Sequence, residues 1–106
     1  MKVTVKNIFA KTTAAAAGEE FLTLVEKSGV RIERTVSHSH SSLKDFWYDQ
    51  DGDEWVMILR GSATLELAGG ELLEMVAGDY LTIPRHLKHR VARTSEETIW
   101  LAVHLK

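Results

Sequence analysis

The sequence has no cysteine and a single proline, Pro84. Without thiols there is no disulfide framework and no thiolate metal site, so stability has to come from packing, and the cytoplasm is the expected location. No apolar run approaches the ~18 residues that a bilayer span needs. Met1 to Lys11 is basic but lacks the apolar stretch of a signal peptide. Neither sign of charge dominates: 13 Lys and Arg stand against 15 Asp and Glu, a formal net charge of −2. Phosphate neutralisation needs a basic surface, so this balance argues against nucleic acid as a partner. Internal repeats and linker-like charge blocks are also missing.

What is present is a chain of 106 residues, 44% hydrophobic and 26% charged, the size and composition of one globular domain. A short apolar segment (Val3, Val5, Ile8, Phe9) precedes the run Thr12 to Ala17, which reads as a surface connection. Phe21, Leu24, Val25 and Ser28 have helical spacing ended by Gly29, although Phe21 to Val25 also fits an extended segment. From Val30 the period changes to two. Val30, Ile32 and Val36 alternate with Arg31, Glu33 and Thr35, as in a half-buried strand. Further short strands follow at Phe46 to Tyr48, Trp55 to Leu59, Ala63 to Leu67, Glu71 to Val76, Tyr80 to Ile83 and His89 to Arg93. The last, Thr98 to Leu105, places Ile99, Leu101, Val103 and Leu105 on one face and His104 on the other, toward the surface or an interface. The turn signals between strands include the Gly69-Gly70 hairpin pair. About eight short strands so punctuated predict an all-β sandwich or barrel, closed to avoid exposed edges.

Two segments carry a family likeness. Glu54-Trp-Val-Met-Ile-Leu-Arg-Gly61 fits the pattern E-x(6)-G. Gly78-Asp-Tyr-Leu-Thr-Ile-Pro84-Arg-His-Leu-Lys-His89 fits G-x(5)-P-x-G-x(2)-H, with His86 where the second glycine belongs. Together they resemble the two cupin motifs over roughly Val30 to Val103. Arg31 to Ser37, with Phe46-Trp-Tyr-Asp-Gln50 ahead of Glu54, is similar to short stand-alone bacterial cupins. The resemblance implies a double-stranded β-helix, or jelly-roll barrel, over residues 30–106, with residues 1–29 as a strand or helix extension packed on it.

The resemblance also implies a site. In the family an H-x-H pair precedes the glutamate; here Tyr48 and Gln50 stand at those places. Thirteen residues separate the pair His38-Ser-His40 from Glu54, and it would fill the same role only if the intervening loop is an insertion. The first alignment keeps the spacing unbroken. Family practice then points to a divalent transition metal (Zn, Mn, Fe, Ni or Cu) held by Glu54 and His89 with Gln50 and His40, because imidazole and carboxylate suit such ions. Each residue has a plainer alternative: Glu54 as a solvated strand end, His38, His40 and His86 as exposed loop residues, and Phe46, Trp47 and Tyr48 as packing.

Arg85, His86, Lys88, His89, Arg90 and Arg93 fall within nine residues. They form either a solvated turn or an electropositive rim; as a rim, with Tyr48, Arg85 and His86 contacting the ligand, they predict a small anionic molecule. Two functions follow: metal-assisted isomerase, lyase or oxygenase chemistry with Glu54 and His89 as the reacting groups, or a metal-free binding or sensing module. A non-catalytic barrel is a third. Trp55, Met57 and Leu59 have the parity opposite to Glu54, so an inward Glu54 leaves an apolar outer stripe and predicts a homodimer.

Overall fold

The computed structural model describes residues 1–10 and 18–106. The Thr12–Ala17 connection lies outside the described residues. Eight strands run in chain order: β1 Gly18–Lys27, β2 Val30–His38, β3 Asp53–Arg60, β4 Ser62–Leu67, β5 Leu72–Val76, β6 Tyr80–Ile83, β7 His89–Thr94 and β8 Thr98–Leu105. Every ladder is antiparallel. They form a five-stranded sheet, β1-β2-β8-β3-β6, facing a three-stranded sheet, β5-β4-β7. Among the described residues there is no helix, so none crosses a membrane.

The two sheets close on an apolar core of Val56, Ile58, Ala63, Leu65, Met75, Ile83, Val91 and Trp100. Strand parity fixes what else faces inward. On β3, Glu54 shares the face of Val56 and Ile58; across the ladder these three pair with His104, Ala102 and Trp100 of β8. Both central strands therefore run from apolar to polar along the barrel interior, and their polar ends coincide. That end is the mouth.

Two expectations are corrected. The helical reading of Glu19 to Ser28 gives way to β1, the edge strand paired with β2. A bulge between Thr23 and Val25 shifts the register by one residue. An inserted residue turns a period of two into the i, i+3, i+4 spacing that imitates a helix. On β8 the inward face is Thr98, Trp100, Ala102 and His104, while Leu101 and Val103 are half-buried on the outer face. This strand lies in the middle of a sheet with apolar side chains on both parities, and alternation alone cannot say which parity is inside.

The N-terminal segment lies against the outer face. Arg34, buried on β2, donates through Nη1 to the carbonyls of Ile8 (3.0 Å) and Ala10 (2.9 Å). The Arg60 guanidinium stacks over the Phe9 ring at 4.7 Å.

Candidate functional site

A cavity of about 310 Å³ opens at the polar end of the barrel. Its floor is Val56, Leu65, Ile83, Val91, Trp100 and Ala102. Its upper wall carries Glu19, Arg31, Glu33, Tyr48, Gln50, Glu54, His89 and His104. An apolar base under a few convergent polar groups is the usual construction of a small-molecule site.

Glu54 is the centre of this wall. Its Oε1 lies 3.8 Å from His89 Nε2 and its Oε2 lies 3.9 Å from His104 Nε2. His89 opens β7, where the ladder to β4 begins, and a backbone bridge to Tyr48 holds it: Tyr48 N donates to His89 O (2.7 Å) and His89 N to Tyr48 O (3.1 Å). The Tyr48 ring stacks on the imidazole, centroids 5.4 Å apart. His89 Nδ1 donates to the Leu87 carbonyl at 2.8 Å. A carbonyl only accepts, so Nδ1 carries the proton and the Nε2 of a neutral ring turns its lone pair toward Glu54. His104 Nε2 is also 3.3 Å from Glu33 Oε1, and Glu33 Oε2 is 3.7 Å from Arg31 Nε. The result is a polar chain from His89, through Glu54, His104 and Glu33, to the partly exposed Arg31.

Burial pushes the Glu54 carboxyl above the ordinary carboxylate range; His104 and His89 pull it down, and Glu33 pushes it up. Burial, with the charges of Glu19 and Glu54, pushes the Tyr48 phenol up to about 12, so it remains a hydrogen-bond donor. The consequence for stability follows from the sign. Ionising Glu54 costs more in the folded protein than in the unfolded chain, so the folded state holds this proton more tightly. That contribution is full below the ordinary carboxylate pKa and is lost as pH rises through the raised value. Glu54→Gln is therefore expected to match the parent protein at about pH 4 and to melt increasingly higher than it toward about pH 7. A melting difference that stays flat over this range would contradict the assignment.

The residues singled out from the sequence separate into two groups. Tyr48, Gln50, Glu54 and His89 line one cavity. The other group lies elsewhere. His40 turns to Glu19 (3.3 Å) and His38 to Glu20 (2.6 Å), and neither lines the cavity. His86, largely exposed, pairs with Asp49 at 2.9 Å, and Arg85 donates its backbone N–H to Asp53. Of the remaining basic run, Arg90 points outward to Glu66 (2.8 Å) and Arg93 to Ser62. Among the described residues, Arg31 is the one lysine or arginine lining the cavity.

Sequence reading missed His104, Glu33 and Glu19. The available signal was the shared parity of His104 with Trp100, and of Glu33 with Arg31 and Thr35.

The implied metal can be weighed on these donors. His40 is held away by Glu19, and Tyr48 and Gln50 occupy the places that imidazoles fill in the family. Among the described residues no three His, Asp or Glu side chains are disposed to hold a metal ion. The residues present do not fit that ion, and the chemistry below uses the protein's own groups.

Comparisons with known proteins agree on the fold. The family model described as Cupin domain matches residues 33–104. A crystal structure from Ralstonia eutropha JMP134, described as a candidate mannose-6-phosphate isomerase, is 43% identical, covers 98% of this chain and 99% of its own, and superposes with a TM-score of 0.91. A cupin superfamily protein of Desulfitobacterium hafniense DCB-2 is 20% identical, with coverage of 89% and 83% and a TM-score of 0.76. A Streptococcus pyogenes protein of unknown function is 19% identical, with coverage of 100% and 90% and a TM-score of 0.79. No curated protein matches the sequence.

Proposed function

This chain belongs to the Cupin domain family, and from that footing we propose that it binds a small molecule in the barrel mouth and exchanges a proton with it through Glu54. The observation that carries this reading is the buried carboxyl of Glu54 lying between two imidazoles above an apolar floor. A general acid or base works best when its pKa lies near the working pH, and burial moves Glu54 in that direction. The ligand's apolar part rests on Trp100, Val56 and Val91. Glu54 takes or gives the proton at the reacting carbon or hydroxyl, and the His89 Nε2 lone pair accepts a hydrogen bond from the same centre. His104 and Glu33 link Glu54 toward the entrance, where the proton exchanges with water.

The reaction class that fits is proton transfer next to a carbonyl, as in an isomerase. The isomerase description of the Ralstonia relative supports that class here, since the two chains align over nearly their whole lengths. The description's phosphate does not carry over as readily, because among the described residues the cavity offers Arg31 as its sole arginine or lysine and Glu33 already occupies it.

The test is solvent-proton exchange. The protein is incubated in D2O with dihydroxyacetone, mannose, mannose-6-phosphate and aminoacetone, and deuterium next to the carbonyl is read by proton NMR. Incorporation above the buffer rate supports the proposal. If no compound incorporates deuterium although some raise the melting temperature, the barrel is a binding module without turnover. A stoichiometric transition metal lost on His89→Ala would overturn the metal-free chemistry.

The outer stripe supports a homodimer. Trp55, Met57 and Leu59 are half-buried there, and Trp55 packs on Tyr80, itself exposed, with ring centroids 5.6 Å apart. A second copy placing the same stripe against this one would cover both. Light scattering is expected to give twice the 11.9 kDa chain mass, and Trp55→Glu to give the single-chain mass; a monomeric parent protein would refute the pairing.

A further inference from the structure

We propose that the small molecule taken into this mouth carries a positively charged, hydrogen-bond-donating nitrogen. The inference rests on the cavity being the ligand site, and it adds the ligand's charge.

Charge balance is the first observation. Three carboxylates, Glu19, Glu33 and Glu54, line the cavity, against one guanidinium, Arg31. The entrance groove continues from the cavity, sharing Arg31, Gln50 and His104 with it. It adds Asp49, Asp51 and Asp53 against Lys106. Among the described residues, with histidines neutral, six carboxylates face two basic side chains, a formal −4. The whole chain carries −2, so the remainder is +2. The fold thus sorts its charge. Arg85, Lys88, Arg90 and Arg93 lie outside both linings. A concave, partly dry surface lined with one sign focuses its field and draws in the opposite sign.

Hydrogen-bond capacity is the second, independent observation. His89 is 4% exposed. Its Nδ1 is spent on Leu87, and no hydrogen-bond partner among the described residues meets its Nε2, which reaches into the cavity at 3.8 Å from Glu54. With His89 neutral and Glu54 ionised, two acceptors face each other at that distance and a donor fits between them. The donors at hand are already engaged: the Gln50 amide hydrogen-bonds Glu54, and the Tyr48 hydroxyl lies 3.5 Å from Glu19 Oε1 and is directed to it. An ammonium has only donors and answers both the acceptor surplus and the negative charge. Trp100 and Phe21, also in the lining, are side chains of the type that attracts a cation.

The test uses probes of one shape and different charge. Cyclohexylammonium, cyclohexanol, cyclohexanecarboxylate and inorganic phosphate are titrated at constant ionic strength, following the Trp100 indole N–H by NMR and the melting temperature. Cyclohexylammonium is expected to bind at least about tenfold more tightly than the alcohol, and the two anions more weakly still. Glu33→Gln is expected to weaken the amine about five- to tenfold and Arg31→Ala to tighten it about two- to fivefold. Opposite signs from two neighbouring substitutions cannot come from general damage to the fold. Equal or tighter binding of either anion, an amine affinity indifferent to both substitutions, or no binding by any probe overturns the inference. Binding of the alcohol or an anion would leave the cavity as a ligand site, and the deuterium experiment judges the proton chemistry separately.

Discussion

Glu54→Gln is expected to lower deuterium incorporation by about 10²- to 10⁴-fold, the contribution typical of one positioned acid–base group. The substitution keeps the shape of the side chain and the hydrogen-bonding contact with Gln50. It removes the one property the proposal needs, a proton that comes and goes. The same variant is expected to be more stable than its parent near neutral pH, because an amide escapes the cost of ionising a buried carboxyl. Loss of exchange together with gain of stability is the signature of a functional group kept at an energetic cost. A residue that merely packs would lose stability when changed. If exchange persists within about threefold of the parent, proton transfer lies with another group, His104 first, and the assignment of Glu54 falls.

Gly61→Ala is expected to cost about 2–5 kcal/mol and to lower the melting temperature by roughly 10–30 °C. Gly61 joins β3 to β4 with φ of 87°, a left-handed conformation that costs an alanine about 1–2 kcal/mol. A methyl group there would also strike the Glu97 carbonyl oxygen and lie 2.6 Å from Ser95 Oγ. Hydrogen bonds and burial hold the turn that carries both neighbours. Ser95 N donates to Ser62 O at 2.9 Å, Thr98 Oγ1 donates to the same carbonyl at 2.9 Å, and Thr98 is fully buried. Gly69→Ala is the control. Its φ is also positive, but a methyl group meets nothing within 4 Å, so only the conformational cost of about 1–2 kcal/mol is expected. Urea midpoints compare the two; equal losses would show that the Ser95–Thr98 turn yields to the added methyl group.

Gly61 also shows why the E-x(6)-G pattern was readable in the sequence. A positive φ against a backbone carbonyl leaves room only for glycine, so the residue type itself reports the geometry. Glu54 sits seven residues earlier, on β3, and its parity with Val56 and Ile58 turns it inward. His89 followed from the second pattern. The all-β architecture was legible for a similar reason: alternation and turn residues are local. The bulge at Thr23–Val25 was not legible, because the extra residue is defined only by the partner strand β2.

The site itself divides the same way. The sequence alone determined that eight or so short strands must close on themselves, that thiol chemistry is absent, and that Glu54 and His89 are residues of interest. Tertiary structure alone decided that His104 and Glu33 join them and that His40 does not. It also decided that Arg85, Lys88, Arg90 and Arg93 lie outside the lining of the cavity. The reason is that alternation assigns side chains to one of two faces without saying which face is enclosed. On β8 and β7 both choices satisfy the local pattern, and only closure of the second sheet over the first selects between them.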